Sequence, residues 1–484
     1  MDSAAADGKN RTMGEEIATS RFRADDYVEY RARLARETDL LAEWLAHDRF
    51  PACATVGGFE LEVCLTDADG GPAAVNETLL PRIDAPNVVS ELAQFDIEIN
   101  AAPCALRADA LSRLHANVSA TWARCIEHAR PLGVEPLLAG ILPSLTEDQL
   151  TLAQMSRQTR YRALNEQVFR LRQGRPITIE IEGRERLRSV HRDVMLEAAA
   201  TSFQIHMQVA PGDAAVLYNT AIALSGPMVA LTANSPYLFG RELWAETRIP
   251  LFEQAVDTGI GPSPSRVTLG SGFVAASLLE CFRENLAAYP VLLPVLKDDS
   301  LETLPHLRLH NGTIWRWNRP LIGFDDAGNP QWRIEHRVIP AGPSLVDTIA
   351  NAAFFFGLAR YYCVHPEPLH RRLGFAPARE NLYAAARDGL DAMLRWTDGA
   401  SVPVRELLRE RLLPDARAGL AMLDLDGADI DLYLGVIAAR VHAGQNGAVW
   451  QRRYVQRHGR DMRALTLAYR ERQRGAAPVH EWGV

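Results

Sequence analysis

Lysine is almost absent from this chain of 484 residues. Of its 52 basic residues only Lys9 and Lys297 are lysines, and all the others are arginines. A phosphate-binding site in this protein must therefore depend on arginine side chains and metal ions. The formal net charge of −8 argues against general nucleic-acid binding, because that function requires a basic face.

Signals for export, membrane insertion and structural zinc are also missing. No stretch approaches the ~18 consecutive apolar residues of a membrane span, and residues 1–19 lack the apolar segment of a signal peptide. We therefore expect a cytoplasmic protein with no membrane partner. The six cysteines form no Cys-x-x-Cys pair and no zinc-finger spacing, which predicts free thiols that are mostly buried.

The familiar nucleotide-binding and hydrolase motifs are absent as well. The sequence contains no Gly-x-x-x-x-Gly-Lys-Ser/Thr loop, no Gly-x-Gly-x-x-Gly after a strand, no Gly-x-Ser-x-Gly and no His-Glu-x-x-His. If the protein uses a nucleotide, metal ions on carboxylates must hold the phosphates.

The order of predicted elements indicates an α+β fold. Helices and strands follow one another without regular βαβ alternation, which favours an antiparallel sheet. Residues 1–20 show no periodicity and are predicted to be disordered, a mixed domain covers 21–360, and a helical extension packed on it covers 361–484. Hydrophobic spacing and composition also predict a helix over 187–200, a strand near 306–317 and a loop rich in Gly, Ser and Pro over 257–273.

Three predicted strands place acidic side chains on one face. Glu60 and Glu62 share a face because side chains at i and i+2 of a strand point the same way, and Glu98 and Glu335 occupy similar strands. Burying such a row is costly unless something positive neutralises it. Carboxylate oxygens suit Mg²⁺ or Mn²⁺, so a metal site is the leading interpretation, with a solvated strand face as the alternative. Glu91, seven residues before Glu98, is equally consistent with an exposed charge.

A fourth predicted strand has a polar face of a different kind. Gln204, His206 and Gln208 lie on one side of it, opposite an apolar side. An amide–imidazole–amide row suits the binding of phosphate, metal or a carboxylate. A histidine that is simply hydrogen-bonded inside the protein is the alternative.

Arginines and an asparagine complete the candidate residues. Asn234 precedes Ser235-Pro236, a pattern that first of all ends a helix, and Arg248 follows downstream. Arginine commonly clamps carboxylates or phosphates through two hydrogen bonds. Arg333 and Arg337 share a strand face with Glu335, which fits either a structural ladder of ion pairs or a site that stabilises a transferring phosphoryl group.

Together these motifs resemble the glutamate–cysteine ligase family, in its bacterial carboxylate–amine ligase branch. The resemblance covers about residues 54–360 and depends on the order and spacing of the motifs. It implies a fold related to glutamine synthetase, in which a curved antiparallel sheet surrounded by helices forms a funnel-shaped active site. The segments that carry it are Gly58-Phe59-Glu60-Leu61-Glu62, Asp96-Ile97-Glu98-Ile99-Asn100, Gln204-Ile205-His206, Ala233-Asn234-Ser235-Pro236 with Arg248, and Arg333-Ile334-Glu335-His336-Arg337.

The resemblance also implies roles for individual residues. It implies metal ligands at Glu60, Glu62, Glu91, Glu98, His206 and Glu335. It places Arg333 and Glu335 in catalysis. It implies substrate contacts from Arg248, Asn234, Gln208 and Asn100. It implies ATP contacts from Arg319 and Arg337.

The implied activity is ATP-dependent amide formation between a carboxylate, in the family the γ-carboxylate of glutamate, and an amino acid or amine. The implied cofactors are ATP and Mg²⁺ or Mn²⁺, and the reaction passes through an acyl phosphate. The partners are small molecules, without nucleic acid or membrane, and the assembly stays open, with a homodimer as one option. A phosphotransferase of the same superfamily and a non-catalytic binding protein that retains the fold are the alternatives.

Overall fold

A computed structural model describes residues 16–259 and 264–484 of the chain. Of the segment predicted to be disordered, residues 1–15 lie outside this part. Residues 16–20 form no helix or strand, yet Ile17 is buried against Ala163 and Leu293. Residues 260–263 of the predicted loop at 257–273 also lie outside the described part.

The centre of the protein is a curled antiparallel sheet. Its strands pair in the order β11-β12-β8-β1-β3-β2, and β4 and β5 also pair with β1. Three further hairpins, β6–β7, β9–β10 and β13–β14, lie outside it. The strands are β1 (Val56–Thr66), β2 (Val88–Ser90), β3 (Asp96–Asn100), β4 (Cys104–Ala105), β5 (Glu135–Leu137), β6 (Ile177–Glu182), β7 (Arg186–His191), β8 (Ser202–Val209), β9 (Tyr237–Leu238), β10 (Arg241–Glu242), β11 (Asn318–Phe324), β12 (Pro330–Pro340), β13 (Met393–Arg395) and β14 (Ser401–Pro403).

Helices surround the sheet, which confirms the predicted α+β class with its curved antiparallel sheet. They are α1 (Ala24–Ala46), α2 (Asn76–Ile83), α3 (Ala110–Ala129), α4 (Thr159–Leu171), α5 (Ala214–Thr232), α6 (Arg248–Ala255), α7 (Leu279–Ala288), α8 (Pro305–Gly312), α9 (Leu345–Val364), α10 (Leu369–Leu373), α11 (Phe375–Asp388), α12 (Val404–Leu407), α13 (Leu413–Ala421), α14 (Gly427–Ala443), α15 (Gly447–His458) and α16 (Met462–Arg474).

One face of the sheet is apolar and packs on the central helices α5 and α9. Phe203, Ile205 and Met207 of β8 are all buried there, as the alternation in the sequence predicts. The segment Pro211–Thr232, which includes α5, is long and apolar enough to cross a membrane, but 89% of its apolar window is buried inside the protein. Its composition therefore matches a core helix. The opposite face of the sheet is left for the polar side chains.

Two local predictions are wrong. The predicted helix over 187–200 is strand β7 followed by a 3₁₀ turn, Met195–Ala199, because β7 alternates exposed and buried residues and pairs with β6 along its length. The predicted strand near 306–317 is mostly helix α8. Pro305 occupies its first turn, where its fixed φ favours a helix, and the carboxylate of Glu37 in α1 accepts a hydrogen bond from Leu307 N at 2.7 Å.

The helices after residue 360 pack tightly on the preceding part of the chain. Gly357 of α9 faces Gly419 of α13 so closely that a Cβ on Gly419 would lie 1.8 Å from the carbonyl oxygen of Gly357. Arg440 of α14 donates to Asp347 of α9 at 2.8 Å, and both side chains are buried. A buried pair of this kind is strongly destabilised when one partner is removed.

The contact between α9 and α13 leads to a prediction about stability. Gly419→Ala should lower the free energy of unfolding by about 3 kcal/mol, because two helix backbones must separate to admit the methyl group. Gly435→Ala is the matched control: Gly435 is an exposed residue of helix α14 with nothing within 4 Å of the position of an added Cβ, so alanine should stabilise the protein by about 0.5–1 kcal/mol. Urea unfolding of both variants measures these changes in the free energy of unfolding. Equal stabilities of the two variants would contradict the close contact between α9 and α13.

Candidate active site

The polar face of the sheet gathers the side chains that the sequence placed on separate strands. In the strand register Glu62 lies opposite Glu98, Glu60 opposite both Asn100 and Gln204, and Glu335 opposite both His206 and Arg319. Residues opposite one another in an antiparallel pair point to the same side. The face therefore carries these predicted site residues: Glu60, Glu62, Glu98, Asn100, His206, Gln208, Arg319, Arg333, Glu335 and Arg337.

Charge is divided across this face. Strands β1 and β3 supply carboxylates, whereas β11 and β12 supply arginines, and β8 lies between them with amides and an imidazole. Such a surface can bind cations on its acidic side and anions on its basic side. A metal ion bound to phosphate oxygens needs both.

Glu60, His206 and Glu335 converge where the two halves meet. Within the described residues, they form the one set of three or more Asp, Glu, His or Cys whose ligand atoms all lie within 4.8 Å of one another. His206 Nε2 lies 3.5 Å from Glu60 Oε1 and 3.6 Å from Glu335 Oε2. These distances exceed a good hydrogen bond, and Nε2 has no hydrogen-bond partner in the described part of the chain.

The spacing of the three groups fits a shared metal ion. With bonds of about 2.1 Å, neighbouring ligands of one ion lie roughly 3.0–3.5 Å apart. Two of the three donors are carboxylates, which Mg²⁺ and Mn²⁺ prefer, and the neutral imidazole would supply the third. The orphaned Nε2 of His206, buried between two carboxylates, is the observation that supports this fit.

Glu335 is held as a carboxylate by arginines. Its side chain is fully buried, 3.0 Å from Arg319 Nη2 and 3.4 Å from Arg337 Nη1. Burial alone would raise the pKa of Glu335, but Arg319 and then Arg337 outweigh it and lower the pKa to about 2. Glu335 therefore stays ionised at any ordinary pH.

Glu60 and His206 respond differently to the same surroundings. Burial, followed by the charge of Glu335, raises the pKa of Glu60 to about 7 against the opposing effect of the arginines. Burial and then Arg333 lower the pKa of His206 to about 3, so its imidazole is neutral and its nitrogen is free to bind a metal. The ionised form of Glu60 is therefore unfavourable in the folded protein, and a bound cation would stabilise it.

Glu62, Glu91 and Glu98 lie along the acidic side and are not part of the convergent set. Glu62 accepts hydrogen bonds from Ser202 N at 2.6 Å and Ser202 Oγ at 2.7 Å, and Glu98 accepts one from Asn100 Nδ2 at 2.8 Å. Burial and then neighbouring carboxylates raise the pKa of Glu91 to about 7 and that of Glu98 well above its usual value. The structure thus brings three of the six predicted metal ligands together and places the other three beside them.

Arg248 and Asn234 are deeply engaged inside the protein. Arg248 Nε lies 3.2 Å from Glu246 Oε1, and Nη2 donates to the carbonyl oxygens of Arg337, at 3.3 Å, and Val338. The Asn234 amide donates to Ala341 O and to the hydroxyl of Tyr469, each at 2.8 Å.

The two residues lie at different distances from the polar face. Arg248 is hydrogen-bonded to the backbone of β12, beside the arginine side of that face. Asn234 uses its amide nitrogen inside the protein, and its Oδ1 accepts from Gln451 Nε2 at 3.1 Å. Its side chain therefore anchors helices α15 and α16 and is not brought to the polar face.

Two acidic residues on this side were missed by the sequence reasoning. Asp96 precedes Glu98 by two residues on the same face of β3, so the alternation that revealed Glu98 also pointed to it. Glu197 lies in the 3₁₀ turn Met195–Ala199, and nothing in the sequence signalled it. Burial and then neighbouring glutamates raise the pKa of Glu197 to about 8, and burial raises that of Asp96 well above its usual value.

Comparison with known proteins identifies the family. The family model described as glutamate-cysteine ligase family 2 matches residues 56–476. The chain belongs to glutamate-cysteine ligase family 2. It is accordingly a ligase that forms carbon–nitrogen bonds, as the resemblance implied. The matched residues continue past 360 through most of the C-terminal helices.

Solved structures show the same fold at low sequence identity. The glutamate–cysteine ligase of Francisella tularensis, solved in complex with AMP, is 12% identical over 88% of this chain and 90% of that chain, with a TM-score of 0.52. A bifunctional glutathione synthetase from Pasteurella multocida is 11% identical over 93% of this chain and 55% of that chain, with a TM-score of 0.51. A comparison with curated protein sequences finds no significant match.

Proposed function

We propose that this member of glutamate-cysteine ligase family 2 joins a glutamate-type carboxylate to an amine by way of an acyl phosphate, with ATP as the phosphoryl donor. The observation that carries the proposal is the convergence of Glu60, His206 and Glu335 next to Arg319 and the other arginines of the polar face. A site of this kind handles phosphate charge. A reaction through an acyl phosphate needs no Ser, Cys or Lys nucleophile from the protein.

The chemistry follows from the weakness of a carboxylate as an electrophile. A carboxylate oxygen attacks the γ-phosphorus of ATP, the bond to the β-phosphate oxygen breaks, and ADP leaves. The nitrogen of the neutral amine then attacks the acyl carbon, the carbon–oxygen bond to phosphate breaks, and the nitrogen loses a proton. The products are an amide, ADP and phosphate.

The arginines and carboxylates of the polar face suit the first of these steps. The guanidinium groups of Arg319, Arg333 and Arg337 lie where they would stabilise negative charge that spreads over the transferred phosphoryl oxygens. Glu60, His206 and Glu335 would hold a Mg²⁺ or Mn²⁺ ion. Such an ion, when bound, neutralises phosphate charge and orients the phosphoryl group.

An isotope experiment tests the acyl phosphate directly. Glutamate labelled with oxygen-18 in its side-chain carboxylate should deliver one labelled oxygen to each phosphate released, because the carboxylate oxygen stays on phosphorus when the amide forms. The labelled substrate is tested with ATP, Mg²⁺ and a panel of amines, and phosphate is analysed by mass spectrometry.

The outcomes of this experiment separate the alternatives. ADP formation that requires both acid and amine, with label in the phosphate, supports the ligase. A stable phosphorylated product without an amide would indicate a phosphotransferase. Absence of acid-dependent ADP formation across a broad panel of acids and amines would contradict the proposed function.

A further inference from the structure

Two polar side chains interrupt the apolar face of the sheet. Asn318 is the first residue of β11, and in the strand register it lies opposite His336 of β12. Both are fully buried, and their neighbours on that face, two positions along each strand, are Pro320 and Ile334. Nε2 of His336 has no hydrogen-bond partner in residues 16–259 and 264–484. A polar pair at this depth costs free energy that an apolar pair would not, so its presence indicates a role other than stability.

The pair belongs to a chain of hydrogen bonds that is anchored in α5. His336 Nδ1 donates to Asn318 Oδ1 at 2.6 Å, and Asn318 Nδ2 donates to Ser225 Oγ at 2.9 Å. The Ser225 hydroxyl in turn donates to Ala221 O at 3.0 Å. The imidazole ring stacks on Phe355 of α9, with the ring centroids 4.3 Å apart. The chain therefore joins both strands to the two helices beneath the sheet.

The buried pair lies directly behind two groups of the polar face. Arg319 follows Asn318, Glu335 precedes His336, and these two charged residues lie opposite one another with their side chains on the other side of the sheet. Arg319 Nη2 and Glu335 Oε2 are 3.0 Å apart. A displacement of Asn318 relative to His336 would therefore also displace Arg319 relative to Glu335.

The alternation of apolar and polar residues does not by itself fix the position of β11 along β12. A shift by one residue would turn the buried side chains outward, but a shift by two residues keeps every side chain on its own face. After such a shift along β11, Pro320 would lie opposite His336 and Leu321 opposite Glu335. Proline offers the imidazole no side-chain acceptor, and leucine offers the carboxylate no charge. The hydrogen bond between Asn318 and His336 thus forms only in the register that also pairs the charged residues.

We propose that Asn318 and His336 are positioning residues for the transfer of the phosphoryl group. Their hydrogen bond sets the relative position of β11 and β12 and so brings the guanidinium group of Arg319 to Glu335. The inference rests on the proposed function, in which Arg319 stabilises phosphoryl charge and Glu335 belongs to the metal set. Both positioning residues act from the opposite face of the sheet and do not touch the reactants. A displacement of about 1 Å at a reacting centre can reduce the rate by about 10²-fold.

A mutant cycle tests the positioning without turnover. In the wild type Glu335→Gln breaks a buried ion pair, so it should lower the midpoint of urea unfolding in metal-free buffer. In a protein that carries both Asn318→Leu and His336→Leu, the same change should lower the midpoint by about half as much or less, because Arg319 no longer meets the carboxylate. An effect of Glu335→Gln that is equal in the two backgrounds would overturn the proposal.

Turnover then separates positioning from a purely structural role. Asn318→Leu or His336→Leu alone leaves a buried polar group without its partner, whereas the double variant removes both groups, so it should unfold at a higher urea concentration than either single variant. Its kcat should nevertheless fall by about tenfold or more, while the KM for the amine changes less than about twofold, because the displaced groups act on the phosphoryl group. A kcat equal to that of the wild type would overturn the proposal.

The matched control removes a side-chain hydrogen bond between two other elements. His115 of α3 and Tyr433 of α14 are joined at 3.0 Å, and His115→Leu combined with Tyr433→Phe should keep the wild-type kcat. A comparable loss of kcat in this control would show that turnover follows general stability, which contradicts the proposal. If the wild type forms no amide with any acid and amine, the proposed function fails, whereas the urea cycle still decides whether the buried pair positions Arg319.

Discussion

Glu335→Gln should reduce ATP-dependent amide formation by about 10³-fold and also destabilise the protein. Glutamine removes the charge that binds a metal ion at the point where the acidic and basic halves of the face meet. It also leaves Arg319 and Arg337 as buried cations without their carboxylate. Removing one partner of a buried pair costs about 3–5 kcal/mol, which urea unfolding without metal should reveal.

Glu60→Gln is the matched variant that separates catalysis from stability. Burial and the charge of Glu335 make the ionised form of Glu60 unfavourable in the folded protein, so a neutral amide of the same shape should leave the stability unchanged or increase it. Amide formation should fall nearly as far as in Glu335→Gln, because the same metal set is broken. Full activity in either variant, or equal destabilisation of both, would contradict the assignment of these two carboxylates.

Much of the polar face could be predicted from the sequence because strand alternation is local. Each segment fixes the direction of its own side chains, so Glu60 with Glu62, and Arg333 with Glu335, were placed on common faces without knowledge of the neighbouring strands. The pairing of those strands is not local. That His206 lies between Glu60 and Glu335 depends on the positions of β1 and β12 on either side of β8, which no single segment contains.

Other features depended on tertiary contacts that leave no local pattern. Glu197 lies close to Glu62 and Glu91 although it belongs to a 3₁₀ turn within a stretch whose hydrophobic spacing predicted a helix. Asn234 has the expected position after a core helix, but its amide donates a hydrogen bond to the hydroxyl of Tyr469, 235 residues later. The surroundings of Arg248 also depend on a distant segment, because the carbonyl groups that accept its hydrogen bonds belong to β12. Motif spacing identified these residues, whereas only the packing showed what each one touches.

In metal-free buffer the free energy of unfolding should fall as the pH rises from about 4.5 to about 8. Glu60 and Glu91, with pKa values of about 7, and Glu197, with a pKa of about 8, keep their protons in the folded protein after the unfolded chain has lost them near its usual value of 4.5. The folded state then binds more protons than the unfolded state, so stability decreases with rising pH. Each such group contributes a slope of about 1.4 kcal/mol per pH unit.

Glu335 has the opposite sign and acts in another range. Its pKa of about 2 lies below the unfolded value, so its stabilising contribution is present above about pH 4.5 and is lost only as the pH falls towards 2. His206 has a pKa of about 3 in the folded protein, so it stays neutral there between pH 4.5 and 8, whereas in the unfolded chain it loses a proton near pH 6.5. The loss of that unfolded-state proton adds stability across the middle of the range and partly offsets the acids.

Mg²⁺ should oppose the part of this dependence that comes from Glu60, because a cation there favours the ionised carboxyl group that burial disfavours. The stabilisation by Mg²⁺, measured as the difference in urea unfolding between magnesium chloride and EDTA at equal ionic strength, should therefore be larger at pH 8 than at pH 5.5. Glu60→Gln should reduce both the fall in metal-free stability and the gain with Mg²⁺. A magnesium effect of the same size at both pH values would show that metal binding is not linked to Glu60, since a proton and a metal ion compete for a carboxyl group only when both bind to it.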